Sequence, residues 1–549
     1  MTRIVFFETS VFMGKKRNKR NDRSGRKTAK RVNTASHSSG KRRQLMHIAH
    51  TLKIRKIPVS TGGPAIALVT RGDARMFSLR PGDRVLIRNG RKSDIFIIDF
   101  TRPGHMLRSG EIGLFDESSK ILGAENGQRI TLSAAQKPRA IFHIQKKLHG
   151  GVLSRDEIRD IVRSLVKNEL TDIELTYFVA ASYLRELCDQ EVVDLTLAML
   201  ETGKKFTYHA KKPIVDKHCI GGVAANRTTA LVIPIVAAAG YTMPKTSSRS
   251  ITSPAGTADT MEVLMNVSLP LPKMKRVMES VHACMVWGGA LDLAPADDKI
   301  IHIEHPMSLD PVGQLIASIL AKKKSVNASH VLIDIPVGKG AKIEHIAKAK
   351  ILKTKFERIG RKLGMIVRVV ISDGSQPIGN GIGPGLEARD ILWTIQNDPR
   401  GSKQLAQKAI EMSGLIFNLV GKCSVARGEK LACELLSSGA AYKKFMQIIR
   451  AQGAVERHLN ADKIAEGRYQ FVVRSPKNGR ISHMDNKILS RIAKLAGAPM
   501  DWQAGIYLHV HKNFTVKKRE PLFTIHAQHL DKLAVAKSYA RKDLGIIID

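Results

Sequence analysis

Apolar positions change their spacing several times along the chain, and each change marks a new kind of element. Between residues 51 and about 132 they fall in short runs bounded by turn signals. In "RPGDRVLIRNGRKSDIFIIDF" a Pro-Gly-Asp turn precedes a strand ending at Asn89-Gly90, and a second apolar run follows, so a hairpin is predicted. A small β-barrel-like domain over 48–132 accounts for this stretch. From about 135 the spacing becomes helical. Ser154 and Glu157 form a capping box ahead of Ile158, Ile161, Val162, Leu165 and Val166, and Thr171 with Glu174 repeats the device before "LTYFVAASYLREL". Residues 133–204 therefore read as a helical domain, joined by part of 295–325. From 213 short apolar strands ("PIVDKH", "HVLIDIPVG", "GMIVRVVIS") alternate with helical stretches, the pattern of a parallel α/β sheet over 205–460. Beyond 465, short strands and turns predict a C-terminal α+β domain over 465–549. The expected fold class is thus multidomain α/β with an additional helical domain, and no internal repeat is visible.

Composition narrows the class. A chain of 549 residues with 43% hydrophobic content exceeds a single core, and two to four domains are expected. No apolar run approaches the roughly 18–20 residues that cross a bilayer, and a soluble, cytoplasmic protein is expected. The formal net charge is +40, and residues 1–47 hold 14 Lys/Arg against 2 acidic residues. A tail such as "GKKRNKRNDRSGRKTAKR" suits electrostatic contact with nucleic acid or acidic surfaces, but its lack of apolar surface favours a solvated, disordered extension. Its Arg- and Ser-rich, acid-poor makeup also matches a transit peptide, although "IVFFETSVFM" ahead of the basic run reverses the order of a secretory signal; Met46 is an alternative start. Five scattered cysteines without a CxxC argue against a disulfide framework or structural zinc and for a reducing compartment. Nineteen histidines include no HExxH, and neither metal nor cofactor is expected.

Three stretches carry candidate chemistry. "VDKHCIGGVAANRTT" follows a strand: Lys217 offers a point charge, His218 a titratable ring, Gly221-Gly222 a close backbone approach, and Thr228 a hydroxyl one turn into the next helix. "KTSSRSITSPAGTADTME" packs eight hydroxyl side chains and Arg249 into eighteen positions, with Gly256-Thr257 at the opening of a helix. Turn capping alone would use one or two of those hydroxyls; the whole set, with unpaired amides at the helix start, suits an anion. In "SLDPVGQLIASILAKKKS", Asp310-Pro311 reads as an N-cap followed by Pro at the first helical position, and Asp310 is equally a cap or a catalytic acid. Ser318 and Lys322 share a face at four-residue spacing, and "AKKK" reads as a solvated helix end. "VGKGAK" at 337–342 lacks the GxxxxGK[ST] pattern, so no ATPase is read from it.

"KHCIGGV", "SSRSITSPAGTADTMEVL", "ASILAKK" and "QPIGNGIGPGLEARD", in this order and at these separations, resemble the thymidine phosphorylase family over roughly residues 50–549, and most nearly its AMP phosphorylase-like branch, whose members also carry an N-terminal β domain. The resemblance implies a helical domain, a larger α/β domain and a cleft between them where orthophosphate attacks the anomeric carbon of a nucleoside or nucleotide and releases the base. It implies phosphate contacts at Lys217, Thr228, Ser247 and Thr257, and His218 as the active-site histidine. It further implies nucleotide contacts at Gly222, Ser248, Arg249, Ser250, Ile251, Thr252, Ser253, Thr257, Ser318, Lys322 and Lys342, with Asp310 as proton donor. The pyrimidine-specific pattern is departed from in the second motif, whose glycine-rich form is replaced by the hydroxyl-rich "SSRSITSPAG", and at two single positions. Cys219 replaces the usual serine after the histidine, a weaker donor. Ile303 stands where those members carry a base-holding arginine, and losing a charged hydrogen bond costs about 1.5–3 kcal/mol. The resemblance implies a homodimer or larger homo-oligomer. The expected reaction is therefore AMP + phosphate to adenine + ribose 1,5-bisphosphate, with orthophosphate as co-substrate. Thymidine phosphorolysis is the near alternative, and a phosphoribosyltransferase or a charge-driven nucleic-acid binder are remote ones; no acidic pair for magnesium pyrophosphate flanks the glycines, and stacking aromatics are few.

Overall fold

The computed structural model describes residues 49–549 apart from 62–64, 103–105, 136, 209, 251–252 and 308. Strands β1 (His50–Lys56), β2 (Ile66–Thr70), β3 (Arg84–Asn89), β4 (Lys92–Thr101), β5 (Glu111–Leu114) and β6 (Arg129–Ala134) close into a barrel in the order β1-β5-β2-β4-β3-β6. Two short helices, α1 (Arg71–Met76) and α2 (Asp116–Leu122), lie within it in sequence. The turn at Gly90 joins β3 to β4 antiparallel, and Val85, Ile87, Phe96 and Ile98 fill the interior. Alternation supplies that interior: Val85 and Ile87 of β3 are buried and the residues on either side of each are not.

A helical bundle follows: α3 (Ala140–Leu148), α4 (Arg155–Val166), α5 (Asp172–Leu184) and α6 (Asp189–Thr202). Both capping boxes are formed, at Ser154/Glu157 and Thr171/Glu174. Arg84 of the barrel pairs with Glu174 of α5.

The α/β part begins with β7 (Val215–Cys219), α7 (Thr228–Ala238), β8 (Met243–Ser247), α8 (Thr257–Glu262), α9 (Leu271–Val281) and β9 (Ala283–Trp287). The chain then runs through α10 (Pro295–Met307) and α11 (Val312–Ser325), which pack against α6 of the bundle, before β10 (His330–Val337), α12 (Ile346–Lys362) and β11 (Ile366–Asp373). The strands are parallel in the order β11-β10-β7, continued to β8 and β9 through the bridge Ile214–Thr242 and the bond from Val215 N to Thr242 O. The order grows from β7 toward β9 and then reverses, since β10 returns to the other side of β7. Ligands of such sheets bind beyond the carboxyl ends of the strands where the order reverses, which here is between β7 and β10.

Helices α13 (Pro384–Ile395) and α14 (Lys403–Leu419) and two further helices, Val425–Ser437 and Ala440–Gln452, cover the sheet. In the C-terminal part, Tyr469–Arg474, Gly505–Leu508 and Pro521–Ala527 form an antiparallel sheet that takes Gly381–Ile382 of the α/β part as its fourth strand. Its helix Asn486–Leu495 starts at a buried asparagine that reaches back to the α/β loops: Asn486 Oδ1 accepts from Ala224 N at 3.0 Å and its Nδ2 donates to Gly374 O at 3.0 Å. Among the described residues no helix is long and apolar enough to cross a membrane.

Candidate active site

Because β7 is an extended strand, its side chains alternate between the two faces of the sheet. Asp216 and His218 point one way, Lys217 and Cys219 the other, so adjacent residues of one motif serve two clusters. On the first face Lys323 Nζ lies 2.8 Å from Asp216 Oδ2, both fully buried. Lys245, buried on β8, donates to Thr246 O. Burial, with the Lys323 charge beside it, holds Lys245 well below the usual lysine range. Burial and the ammonium groups of Lys323, Lys245, Lys322 and Lys217 also hold His218 well below the usual range, so its ring is neutral at physiological pH. On the second face Lys217 Nζ lies 3.4 Å from Thr229 Oγ1 and 3.9 Å from Asp334 Oδ2. Asp334 also holds Lys408 at 3.0 Å and accepts from Ser372 Oγ at 2.6 Å. Burial pushes Lys217 down despite the Asp334 charge. Burial likewise raises the Cys219 thiol, which takes an Asn226 amide at 3.4 Å.

Thr228 opens α7 as its first residue, where sequence placed it one turn in; its Oγ1 donates to Asn226 Oδ1 at 2.7 Å. Thr257 opens α8, with Gly256 as the residue before it. Glycine is required there, since a Cβ at 256 would stand 2.6 Å from Ser248 O. The loop between β8 and α8 is tied from within. Asp259 Oδ2 accepts from Ser250 N at 2.7 Å and Gly256 N at 2.8 Å, Ser250 Oγ donates to Ser253 O, and Ser253 Oγ donates to Ala255 O at 2.8 Å. Ser248 uses its carbonyl to receive Ala258 N at 3.3 Å. Arg249 is committed too: its guanidinium pairs with Glu262 and Asp259 and lies 4.7 Å from the Trp287 ring centroid. Ser247 stands in register with Trp287, and its buried hydroxyl has no protein partner among the described residues. Ile251 and Thr252 lie outside the described residues.

On and beside α11 two expectations are corrected. The first residue of α11 is Val312 and its cap Pro311, so Asp310 precedes the helix and caps nothing. Its carboxylate instead accepts from Lys342 Nζ at 2.7 Å. "AKKK" is not a solvated end: besides Lys323, Lys322 Nζ lies 2.6 Å from the buried Asp297 Oδ2, and Lys324 Nζ donates to Leu363 O at 2.8 Å. Ser318 and Lys322 share the partly open stripe of α11. Lys342 belongs to the loop after β10, and its backbone lies against Gly222, where a Cβ would collide with the Lys342 amide. Gly222 has φ +87°, a conformation that also favours glycine. The loops on both flanks of the order reversal therefore touch at Gly222 and Lys342.

Several participants carry no sequence signal strong enough to single them out. Glu304 on α10 is held up to about 8 by burial and by the carboxylates of Asp310 and Asp297, against the opposing charges of Lys342 and Lys322. Arg227 clamps α7 to its surroundings: Nε donates to Glu387 Oε2 at 2.5 Å and to Thr260 Oγ1 at 3.1 Å, and Nη2 donates to Ala255 O. Lys245, Lys323, Asp216, Asp334 and Lys408 are visible only once the fold gathers them. Among the described residues no group of three His, Cys, Asp or Glu is placed to hold a metal ion.

Three family models match. The glycosyl transferase family helical bundle domain covers 143–203, its a/b domain 211–442, and the pyrimidine nucleoside phosphorylase C-terminal domain 480–546. An AMP phosphorylase of Pyrococcus furiosus is 42% identical over 89% of this chain and 96% of its own length. An AMP phosphorylase 1 of Archaeoglobus fulgidus is 41% identical over 90% of this chain and 97% of its own. A Legionella pneumophila protein provisionally named a thymidine phosphorylase is 40% identical over 91% of this chain and 95% of its own.

Proposed function

Because the chain belongs to the thymidine phosphorylase family and shares about two fifths of its residues with AMP phosphorylases over nine tenths of its length, we propose that it catalyses phosphorolysis of AMP to adenine and ribose 1,5-bisphosphate. The observation that carries this reading is a buried excess of lysine over acid around strand β7. Lys217, Lys245, Lys323 and Lys408 are all buried, while the buried acids facing them are Asp216 and Asp334. Buried cations without matching anions are costly, and the downward shifts of Lys217 and Lys245 are the expected response. A phosphate dianion supplies the missing charge. In this reading Lys217, Thr228, Ser247 and Thr257 hold orthophosphate, and the unpartnered Ser247 hydroxyl is available to it.

The nucleotide takes the hydroxyl loop (Ser248, Ser250, Ile251, Thr252, Ser253) and Gly222, Ser318, Lys322 and Lys342. Arg249 contributes by fixing that loop and Trp287 rather than by a free charge. Loss of the base leaves an oxocarbenium-like sugar, and the barrier falls when the departing adenine is neutralised at N7. Asp310 is the proton donor, and His218, neutral, offers an uncharged ring N–H. The fixed cations stabilise the anions throughout. Thymidine phosphorolysis is the second reading, and Ile303 disfavours it, since no charged donor stands at that position for a pyrimidine. No cofactor is needed beyond orthophosphate. We also infer self-association through the exposed apolar side chains of α3 and α5.

Steady-state rates with AMP, CMP, UMP, thymidine and uridine at saturating phosphate test the proposal; faster turnover of thymidine than of AMP overturns it. Asp310→Asn is expected to lower turnover about 100- to 10,000-fold. The fold should be nearly unaffected, because Asp310 caps no helix and its half-exposed pair with Lys342 contributes about 0–1 kcal/mol.

A further inference from the structure

We propose that Lys342 is a specificity switch: it holds Asp310 until the 5′-phosphate of a bound nucleotide draws it away, so that a phosphorylated substrate frees its own acid. The inference rests on the AMP phosphorylase reading above. Three observations support it. The Lys342 ammonium occupies Asp310 Oδ1 at 2.7 Å, the oxygen pair from which a proton would have to be given. That pair is the single ion pair of Asp310 among the described residues, and its side chains are 29% and 44% exposed. An exposed pair of this kind is weak, whereas a lysine on a phosphate dianion makes a stronger charge-assisted contact, so exchange is downhill. Finally, the Lys342 main chain is packed closely against Gly222, whereas its side chain is a flexible four-carbon stem that can serve either partner.

The surroundings fit an acid that becomes competent on demand. Glu304, held up to about 8, keeps its own proton at neutral pH and does not compete for Lys342. Once Lys342 is on the 5′-phosphate, the Asp310 carboxylate is open to relay a solvent proton. It passes that proton to adenine N7 as the C1′–N9 bond breaks and a phosphate oxygen bonds C1′. Adenine leaves as its neutral 7H tautomer, and Asp310 returns to the carboxylate that Lys342 pairs with. A nucleoside binds without a 5′-phosphate, leaves the pair intact and meets an acid that is occupied.

The test compares AMP and adenosine on wild type and Lys342→Met, with folding checked by thermal denaturation. For AMP, kcat/KM is expected to fall about 10- to 100-fold, the worth of a charged hydrogen bond. For adenosine, kcat is expected to rise about tenfold, part of the roughly 100- to 10,000-fold that a positioned acid contributes. That rise must vanish in the Lys342→Met/Asp310→Asn double variant. A lysine that merely binds phosphate would leave adenosine turnover unchanged, and that result, or a rise that survives in the double variant, overturns the switch. Failure of wild type to cleave AMP at all would instead overturn the functional reading. If Lys342→Met does not fold, Lys342→Gln carries the same expectation for adenosine.

Discussion

At the scale of single residues, the site is decided by what each side chain is denied as much as by what it touches. Glu304 shows this best. Burial and two neighbouring carboxylates raise it to about 8, so the folded protein keeps a proton that the unfolded chain has lost. A carboxyl raised in this way favours the fold at low pH, and its contribution is lost as pH climbs from the unfolded value of about 4.5 to about 8. Glu304→Gln removes that dependence. Scanning calorimetry at pH 5.5 and pH 8.5 should show the variant gaining in Tm relative to wild type as pH rises; a constant difference would mean that Glu304 is not protonated in the fold. The motifs themselves were legible in the chain, and the fold places them on or beside the strands. Lys217 and His218 lie on β7, Gly222 in the loop after it, Ser247 at the end of β8, Thr257 at the start of α8 and Asp310 just before α11. Of the two roles open to Asp310, the cap fails: Asp-Pro is a common helix opening, but here the helix starts later and the carboxylate takes the distant Lys342, which no spacing rule connects to it.

Among elements, the informative relation is between the loops that follow β7, β10 and β11 and the helix that starts at Asn486. Hydrophobic periodicity revealed the strands and helices because each buries one face. It could not reveal that Asn486 would bridge two loops more than a hundred residues away, since an asparagine at a helix start is explained locally. Asn486→Leu leaves Ala224 N–H and Gly374 C=O buried without their partners, each costing about 1–3 kcal/mol. The variant should lose stability by several degrees in Tm and turnover with it, because Ala224 belongs to the loop that carries Gly222. Unchanged Tm and activity would show that water replaces the side chain. The lysine-rich end of α11 teaches the same lesson from the opposite side. Three consecutive lysines look solvated by composition, yet α11 lies between the bundle and the sheet, and each lysine finds a buried acid or a carbonyl there.

For the whole molecule, the bundle presents an apolar face to its surroundings. On α3 and α5, Phe142, Ile173, Tyr177 and Leu184 are 61%, 71%, 54% and 72% exposed. Ile173, Tyr177 and Leu184 recur at helical spacing on one face, a patch larger than scattered surface residues explain. A second copy presenting the same face would bury it symmetrically. Light scattering is expected to give a multiple of the 60.5 kDa chain mass for wild type and a single chain for Ile173→Glu/Tyr177→Glu. An unchanged mass would place self-association elsewhere. The strand Gly381–Ile382, meanwhile, has an implication for anyone dividing this protein into fragments. It is contributed by the α/β part yet hydrogen-bonded to Gly505–Leu508. A fragment ending near residue 465 would keep that strand with one open side, and the released C-terminal piece would lack a sheet edge, so neither half inherits a finished surface.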